Sequence, residues 1–215
     1  MEAVDKKRWV QNLIRIFPDL SVSQLAQLEA LEPLYQYWNA KINVISRNDM
    51  DAFFVRHVWH SLGIAKAQQF VSGSRILDVG TGGGFPGIPL AILFPEVQFI
   101  LLDSVQKKIK VVEAISKEMG LKNVATVRTR IELFNEQADF VVSRAVTQME
   151  RFVPWVKKNI SKVHRHERKN GILYLKGGNL EHELALFPKV ETYALHPTFN
   201  HSFFETKKVV YVPFW

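Results

Sequence analysis

Five glycines lie within eight residues near the middle of the chain, between Gly80 and Gly87. The segment follows a short apolar run and precedes an apolar helical pattern, the context in which a glycine loop binds a nucleotide-like cofactor. Glycine lets the backbone turn tightly and approach a ligand without a Cβ clash. An acid stands on either side, Asp78 before the loop and Asp103 21 residues after Gly82. These residues predict a cofactor site.

The loop pattern alone does not choose the cofactor. Gly82, Gly84 and Gly87 satisfy G-x-G-x-x-G, the fingerprint of dinucleotide binding, so a nicotinamide-dependent oxidoreductase is one interpretation. Asp78 argues against it, because a carboxylate just before the loop would meet a pyrophosphate. S-adenosylmethionine has no phosphate and carries two cationic groups that a carboxylate favours. Asp103 can accept hydrogen bonds from the ribose hydroxyls of either cofactor.

Missing residue types restrict the chemistry of a methyl transfer. The 215-residue chain has no cysteine, which excludes disulfides, a cysteine zinc site and the cysteine nucleophile that pyrimidine C5 methylation usually needs. Methylation of an exocyclic amine usually needs an Asp/Asn-Pro-Pro-aromatic motif, and the corresponding stretch here is Ser143–Val146, of sequence SRAV. A ring nitrogen with a free lone pair needs neither. His164 and His166 alternate with arginines without a carboxylate cluster, so no metal site is expected.

The sequence pattern differs between the two parts of the chain that flank residue 70. Up to about residue 70 the apolar residues keep helical spacing, with a capping box at Ser21 and Gln24, a kink or split at Pro33, and a third helix over about Met50–Ala67. Strands and helices then alternate, which predicts a doubly wound, mostly parallel sheet with an antiparallel pair at one edge. Helices are predicted over about Val105–Met119 and Gln148–Lys158. The predicted strands are Arg75–Val79, Val97–Leu102, Val124–Arg128, Asp139–Ser143, Gly171–Lys176, Val190–Leu195 and Lys207–Pro213. Residues 1–70 are therefore expected to form a helical extension and residues 71–215 a Rossmann-like domain.

The charge of the chain favours an anionic partner. The net charge is +7, and residues 146–215 carry 11 Lys and Arg against 6 Asp and Glu. Such a basic region suits nucleic acid, although a merely solvated surface is an equal alternative. The sequence has neither a secretory signal pattern nor a long apolar run, so we expect a cytoplasmic protein without a membrane partner.

Several motifs together resemble the RsmG/GidB family. They are the loop Gly80–Leu90 with Leu101–Ser104, Arg130–Glu132, Ser143–Ala145, Asn43–Arg47, Arg56-His57 and Lys176-Gly177. The resemblance covers roughly residues 35–180. It departs at Gly83, where the family often has proline, at His60, where it often has aspartate, and at residues 162–170, which are longer and more basic than is usual. It implies a class I S-adenosylmethionine-dependent methyltransferase that acts on N7 of a guanine in 16S ribosomal RNA of the small subunit.

The resemblance also implies roles for individual residues. Arg144 is the expected catalytic residue beside the methyl group, with a surface ion pair as its alternative. The expected cofactor residues are Asp78, Gly80, Gly82, Gly84, Phe85, Asp103, Ile131, Glu132 and Arg144. The RNA-side candidates are Asn43, Arg47, Arg56, His57, Lys162, Arg165, Arg168 and Lys169. For the first four of these residues the alternative is a role in helix packing and salt bridges, and for the last four it is a solvated loop. A methyltransferase for protein or small molecules and a non-catalytic RNA-binding module also remain open.

Overall fold

A computed structural model describes residues 6–196 and 198–215. It contains one sheet of seven strands. They are β1 (Arg75–Val79), β2 (Gln98–Asp103), β3 (Val124–Arg128), β4 (Phe140–Arg144), β5 (Gly171–Gly177), β6 (Glu191–Ala194) and β7 (Lys207–Pro213). Their order across the sheet is β3-β2-β1-β4-β5-β7-β6.

The sheet is parallel except at one side. The pairs β1–β2, β1–β4, β2–β3 and β4–β5 are parallel, whereas β7 is antiparallel to both β5 and β6. The order in which strands are added to the sheet reverses at β1, since β2 and β3 lie on one side of it and β4 on the other. Ligands bind at the carboxyl ends of the strands next to such a switch point. The predicted parallel sheet with an antiparallel edge is confirmed.

The helices flank the sheet on both faces. They are α1 (Lys6–Ile16), α2 (Val22–Lys41), α3 (Arg47–Met50), α4 (His60–Leu62), α5 (Ile64–Ala67), α6 (Gly87–Leu93), α7 (Gln106–Glu118), α8 (Met149–Val156) and α9 (Glu181–Leu184). The capping box that opens α2 is confirmed, with Ser21 Oγ accepting from the Gln24 amide and Gln24 Oε1 from the Ser21 amide. Of the predicted kink or split at Pro33, the split is wrong, because α2 continues through this residue. Buried Leu28, Leu31 and Tyr35 hold both halves of the helix on the core.

The prediction of one helix over Met50–Ala67 is wrong, because the segment is divided into several short helical pieces. The segment consists of α3, a π-helical stretch over Phe54–Trp59, and the short α4 and α5. Five of the six residues in the π-helical stretch are buried, a wider buried face than a regular surface helix offers. Wider turns of this kind often occur at functional sites. Here the stretch carries Arg56 and His57.

Two apolar clusters, one on each face of the sheet, form the core. The first contains residues of the N-terminal helices, such as Trp9, Leu28 and Val58, together with Ile76 and Leu101 of the sheet. The second fills the opposite face, beneath α8. Among the described residues, no helix is both long and apolar enough to cross a membrane.

Candidate active site

A cavity that contains most of the predicted cofactor residues opens at the carboxyl ends of β1, β2 and β4. Its volume is about 540 Å³. We call it the first cavity. The predicted residues that line it are Gly80, Gly82, Phe85, Asp103, Ile131, Glu132, Arg144 and His57. The sheet topology explains this grouping, because parallel strands place their carboxyl ends at the same edge.

The glycines of the loop have different tasks. Gly80, Gly82 and Gly84 have φ of 70°, 61° and 98°, a region that side chains disfavour. A Cβ on Gly80 would lie 2.4 Å from Val146 Cγ2, and one on Gly84 would lie 2.9 Å from Ile88. Among the described residues, a Cβ on Gly82 would approach Gly80 O alone, at 3.9 Å. Gly80 and Gly84 therefore allow close packing within the protein, whereas Gly82 keeps the cavity open.

Asp78 lies beneath the loop and is fully buried. Its Oδ2 accepts hydrogen bonds from Thr81 Oγ1 at 2.6 Å and from the Gly87 amide at 2.9 Å. Its Oδ1 has no hydrogen-bond partner in the described part of the chain. Burial raises the pKa of Asp78 to about 7, against the opposing effects of these hydrogen bonds and of the Arg144 charge. Asp78 thus fixes the loop from behind rather than lining the first cavity.

Asp103 ends β2 and lines the first cavity. Its Oδ2 accepts from the Gly82 amide at 3.0 Å and its Oδ1 from the Val105 amide at 2.8 Å. Lys108 Nζ lies 3.6 Å from Oδ2. The carboxylate therefore ties the glycine loop to the next strand end, and its remaining lone pairs can accept hydrogen bonds from a ligand.

Arg144 ends β4, and its guanidinium is fixed by two groups of the π-helical stretch. It donates from NH1 to the Arg56 carbonyl oxygen and from NH2 to His57 Nδ1, both at 2.8 Å. It also lies 5.2 Å from the centroid of the Phe85 ring. Burial lowers the pKa of Arg144 to about 10, so the guanidinium stays charged at neutral pH. In the part of the chain that the structure describes, Arg144 forms these contacts and no salt bridge, so the surface ion pair that the sequence allowed is not observed there.

A second cavity, of about 350 Å³, adjoins the first. The two share His57, Arg144 and Ala145. Further residues that line the second cavity are Asp49, Arg56, His60, Lys176, Phe203 and Lys207. Arg56 and Asp49 form an ion pair of 2.7 Å. The second cavity is therefore rich in cationic groups and has one aromatic wall.

Two contacts to the site were not predicted from the sequence. Tyr35 in α2 donates a 2.5 Å hydrogen bond to the Gly83 carbonyl oxygen. Tyr174 in β5 accepts from the amides of Val146 and Thr147 and so holds the segment after β4. A signal did exist, because a buried tyrosine in an apolar stripe usually needs a partner for its hydroxyl.

The RNA-side candidates fall into separate places. Arg56 and His57 line the second cavity, whereas Asn43 lines a different groove beside α2. Arg47 begins α3, and its side chain lies outside the described residues. The described residues contain no group of three or more His, Asp or Glu side chains that could hold a metal ion.

The basic segment at residues 162–170 is a loop at the opposite end of the sheet. Arg165 lies 3.9 Å from Asp139, just before β4, and buried His166 lies 3.2 Å from Ser74, just before β1. The candidates Lys162, Arg165, Arg168 and Lys169 thus lie far from both cavities along the strands.

The chain matches a family model and named relatives over nearly its whole length. The GidB model, described as rRNA small subunit methyltransferase G, matches residues 24–210. The protein named Ribosomal RNA small subunit methyltransferase G from Flavobacterium psychrophilum is 57% identical over 204 residues, which cover 95% of this chain and 98% of that protein. Its namesake from Bacteroides thetaiotaomicron is 50% identical over 200 residues, with 93% and 97% covered.

Solved structures support the fold class. A SAM dependent methyltransferase from Aquifex aeolicus has a TM-score of 0.52 at 15% identity, with 72% of this chain and 89% of that chain covered. Precorrin-6y C5,15-methyltransferase from Geobacter metallireducens has a TM-score of 0.52 at 13% identity, with 80% and 92% covered. The predicted class I methyltransferase fold is confirmed.

Proposed function

The chain belongs to the GidB family, rRNA small subunit methyltransferase G, and we propose that it methylates N7 of a guanine in 16S ribosomal RNA with S-adenosylmethionine as methyl donor. The observation that carries the proposal is the junction of two cavities at His57, Arg144 and Ala145. A transferase needs two ligands in contact, and this junction offers one place where they can meet.

The first cavity fits S-adenosylmethionine. The loop leaves open space at Gly82, so a ligand can lie against bare backbone. Asp103 presents a carboxylate to ribose hydroxyls, and Ile131 presents an apolar surface to the adenine. Asp78 lies behind the loop with a pKa of about 7, so a bound cationic ligand would favour its ionised form, whereas a pyrophosphate would oppose it. Gly80, Gly84, Phe85 and Glu132 complete the proposed cofactor residues.

The residues of the chain align the two reactants and exclude water, and they transfer no proton. When bound, S-adenosylmethionine supplies an electrophilic methyl group. Guanine N7 has a free lone pair at neutral pH, so no base has to remove a proton from it. Burial and the Arg144 charge lower the pKa of His57 to about 3, so this imidazole stays neutral. Arg144, fixed by Arg56 and His57, holds the junction in one geometry, which is how alignment accelerates such a reaction.

The RNA surface is proposed to surround the second cavity. Arg56, Lys176 and Lys207 give it positive charge suited to phosphates. Asn43, Arg47 and the loop at residues 162–170 are proposed as more distant contacts with the RNA. In this proposal residues 1–70 form the helical extension that carries Asn43, Arg47 and Arg56, and residues 71–215 form the methyltransferase domain, which carries Lys176, Lys207 and that loop. A ribosomal substrate would place the activity in the cytoplasm.

The test is methyl transfer from labelled cofactor to small-subunit ribosomal RNA, both free and in the assembled subunit, followed by nucleoside mass spectrometry. The expected product is 7-methylguanosine. The Asp103→Ala variant, which should bind the cofactor poorly, serves as the control for background label. A methylated cytosine or adenine, or no transfer to either form of the RNA, would refute the proposal.

A further inference from the structure

His57 stands where the two cavities meet, and its chemistry there is fixed by its neighbour. Arg144 NH2 lies 2.8 Å from His57 Nδ1. A guanidinium has donors and no acceptor, so Nδ1 must be the accepting nitrogen. A neutral imidazole carries its one proton on the other nitrogen, and therefore Nε2 of His57 is an N–H donor. Burial keeps the ring neutral, since it lowers the pKa of His57 to about 3.

This donor is left without a partner. The His57 side chain is 8% exposed, and its Nε2 has no hydrogen-bond partner among the described residues. An unsatisfied buried donor costs roughly 1–3 kcal/mol, so a ligand acceptor at this point would be favoured. Of the residues that line the second cavity, His57 and His60 each have a buried Nε2 without a hydrogen-bond partner among the described residues. His57 alone of these two also lines the first cavity.

The size of the second cavity and its aromatic wall suit a single base. Its volume of about 350 Å³ lies in the range of small-ligand pockets. Phe203 gives it an aromatic wall, with the Lys207 ammonium 4.9 Å from the ring centroid. Enzymes that act on a base take it out of the stack into a pocket with aromatic or apolar walls. A base placed there would present one edge to the junction.

We propose that His57 selects guanine, by donating a hydrogen bond from Nε2–H to O6 of the target base held in the second cavity. This inference rests on the proposed function. Guanine presents N7 and O6 side by side as two acceptors, whereas adenine presents N7 beside an amino group that donates. When N7 faces the first cavity, the atom beside it faces the junction. A donor at the junction can therefore form a hydrogen bond with O6 of guanine. With adenine it would face the amino group, which is also a donor.

The experiment pairs enzyme variants with base analogues in the RNA. The methylated guanine, once mapped, is replaced by 2-aminopurine, which keeps N7 and the 2-amino group but lacks O6, or by inosine, which keeps O6. For the unmodified enzyme we expect 2-aminopurine to lower kcat/KM by about 10- to 100-fold, the effect of one buried hydrogen bond. Inosine should stay within about 3-fold of guanine, because the O6 contact persists.

The variants assign this preference to one residue. His57→Leu should act more slowly on guanine and lose the discrimination against 2-aminopurine. His57→Gln, whose amide can accept from Arg144 and still donate, should restore part of it. Retention of the full preference in a folded His57→Leu variant would overturn the inference while leaving the proposed function intact. If the unmodified enzyme forms no 7-methylguanosine, the proposed function fails, and the inference about His57, which rests on it, fails with it.

A spectroscopic measurement tests the inference without turnover. Nitrogen-15 NMR of the imidazole in the unmodified protein should show Nε2 protonated and Nδ1 bare between pH 6 and pH 8. Guanosine monophosphate, used as the probe, should shift the Nε2–H resonance, and adenosine monophosphate should not. A proton on Nδ1, or equal shifts with both nucleotides, would contradict the role of His57.

Discussion

The phenol of Tyr35 donates a 2.5 Å hydrogen bond to the carbonyl oxygen of Gly83, which joins the middle of α2 to the glycine loop. The two residues are 48 positions apart. Tyr35 is fully buried, and its ring lies 4.8 Å from that of Phe85. α2 therefore forms a wall behind the glycine loop, and Tyr35 itself does not line the first cavity.

The Tyr35→Phe substitution should loosen that wall. It removes the hydroxyl and leaves a buried carbonyl unsatisfied, which costs about 1–3 kcal/mol. We expect a lower free energy of unfolding by urea denaturation and a weaker affinity for S-adenosylmethionine by calorimetry. Tyr37→Phe is the matched control, since Tyr37 is half exposed and its hydroxyl meets Lys41 at the surface. Equal effects of the two substitutions would show that the Gly83 contact is unimportant.

The Gly82→Ala substitution should separate backbone strain from loss of the ligand. Gly82 has φ of 61°, where an alanine costs about 1–2 kcal/mol, and its Cβ would point into open cavity space. Gly73→Ala is the control, because Gly73 has φ of 76° and open space around it, far from the loop. Both variants should lose similar stability in thermal unfolding. Gly82→Ala should also lose cofactor binding. Normal binding would contradict the proposal that the cofactor lies against the backbone at Gly82.

The Asp103→Ala substitution should weaken cofactor binding. The carboxylate is expected to accept from the ribose hydroxyls, and a lost charge-assisted bond costs roughly 1.5–3 kcal/mol, or about 10- to 150-fold in affinity. The structure adds a second cause, because Asp103 also holds the Gly82 amide. Calorimetry on a folded variant measures the sum. Unchanged affinity would refute the assignment of Asp103 to the ribose.

These contacts show which parts of the molecule could be predicted from the sequence. The bounds of β1, β3 and β7 are as predicted, because short β-branched runs there end at polar or glycine-rich segments. Asp103 and Arg144 face the first cavity because a parallel sheet collects strand ends. Local patterns could not predict that Phe203, close to the C-terminus, forms a wall beside His57. The position of Phe203 depends on how the segment between β6 and β7 returns to the sheet.

The buried carboxyl of Asp78 should make stability fall as pH rises. Burial raises the pKa of Asp78 to about 7 in the folded protein, against about 4 when unfolded. Between these values the folded state binds one proton more than the unfolded state, so the free energy of unfolding decreases with pH. The contribution is fully lost above pH 7 and amounts to at most ~4 kcal/mol. We expect Asp78→Asn to remove this component, so in cofactor-free protein the stability advantage of the unmodified protein over the variant should fall as pH rises from 4.5 to 8, measured by urea unfolding. The buried His57, whose pKa is lowered to about 3, adds an opposite slope to both proteins and cancels in the difference. Parallel slopes for the two proteins would contradict the raised pKa.

The last prediction concerns the loop at residues 162–170. Arg168 lies 3.4 Å from Glu191, and Lys169 donates to the carbonyl oxygen of Trp215. Exposed pairs of this kind contribute about 0–1 kcal/mol, so RNA phosphates can replace them. Each phosphate contact should add about 0.7–0.9 to the log–log salt slope of RNA binding. Replacing Lys162, Arg165, Arg168 and Lys169 by serine should therefore flatten the slope by about 1.4–1.8 units if half of them contact phosphate.

Cofactor affinity separates this role from a structural one. The loop enters β5 from its amino end, away from both cavities, so the four-serine variant should bind S-adenosylmethionine normally. Its rate of methyl transfer at saturating RNA should also be unchanged. Arg56→Ser is the comparison on the cavity side, where loss of the ion pair with Asp49 should affect both RNA affinity and rate. An unchanged salt slope in the loop variant would mean that these charges only solvate the surface. The phosphate contacts would then lie around the second cavity, with Arg56 and Lys207 as the residues to replace next.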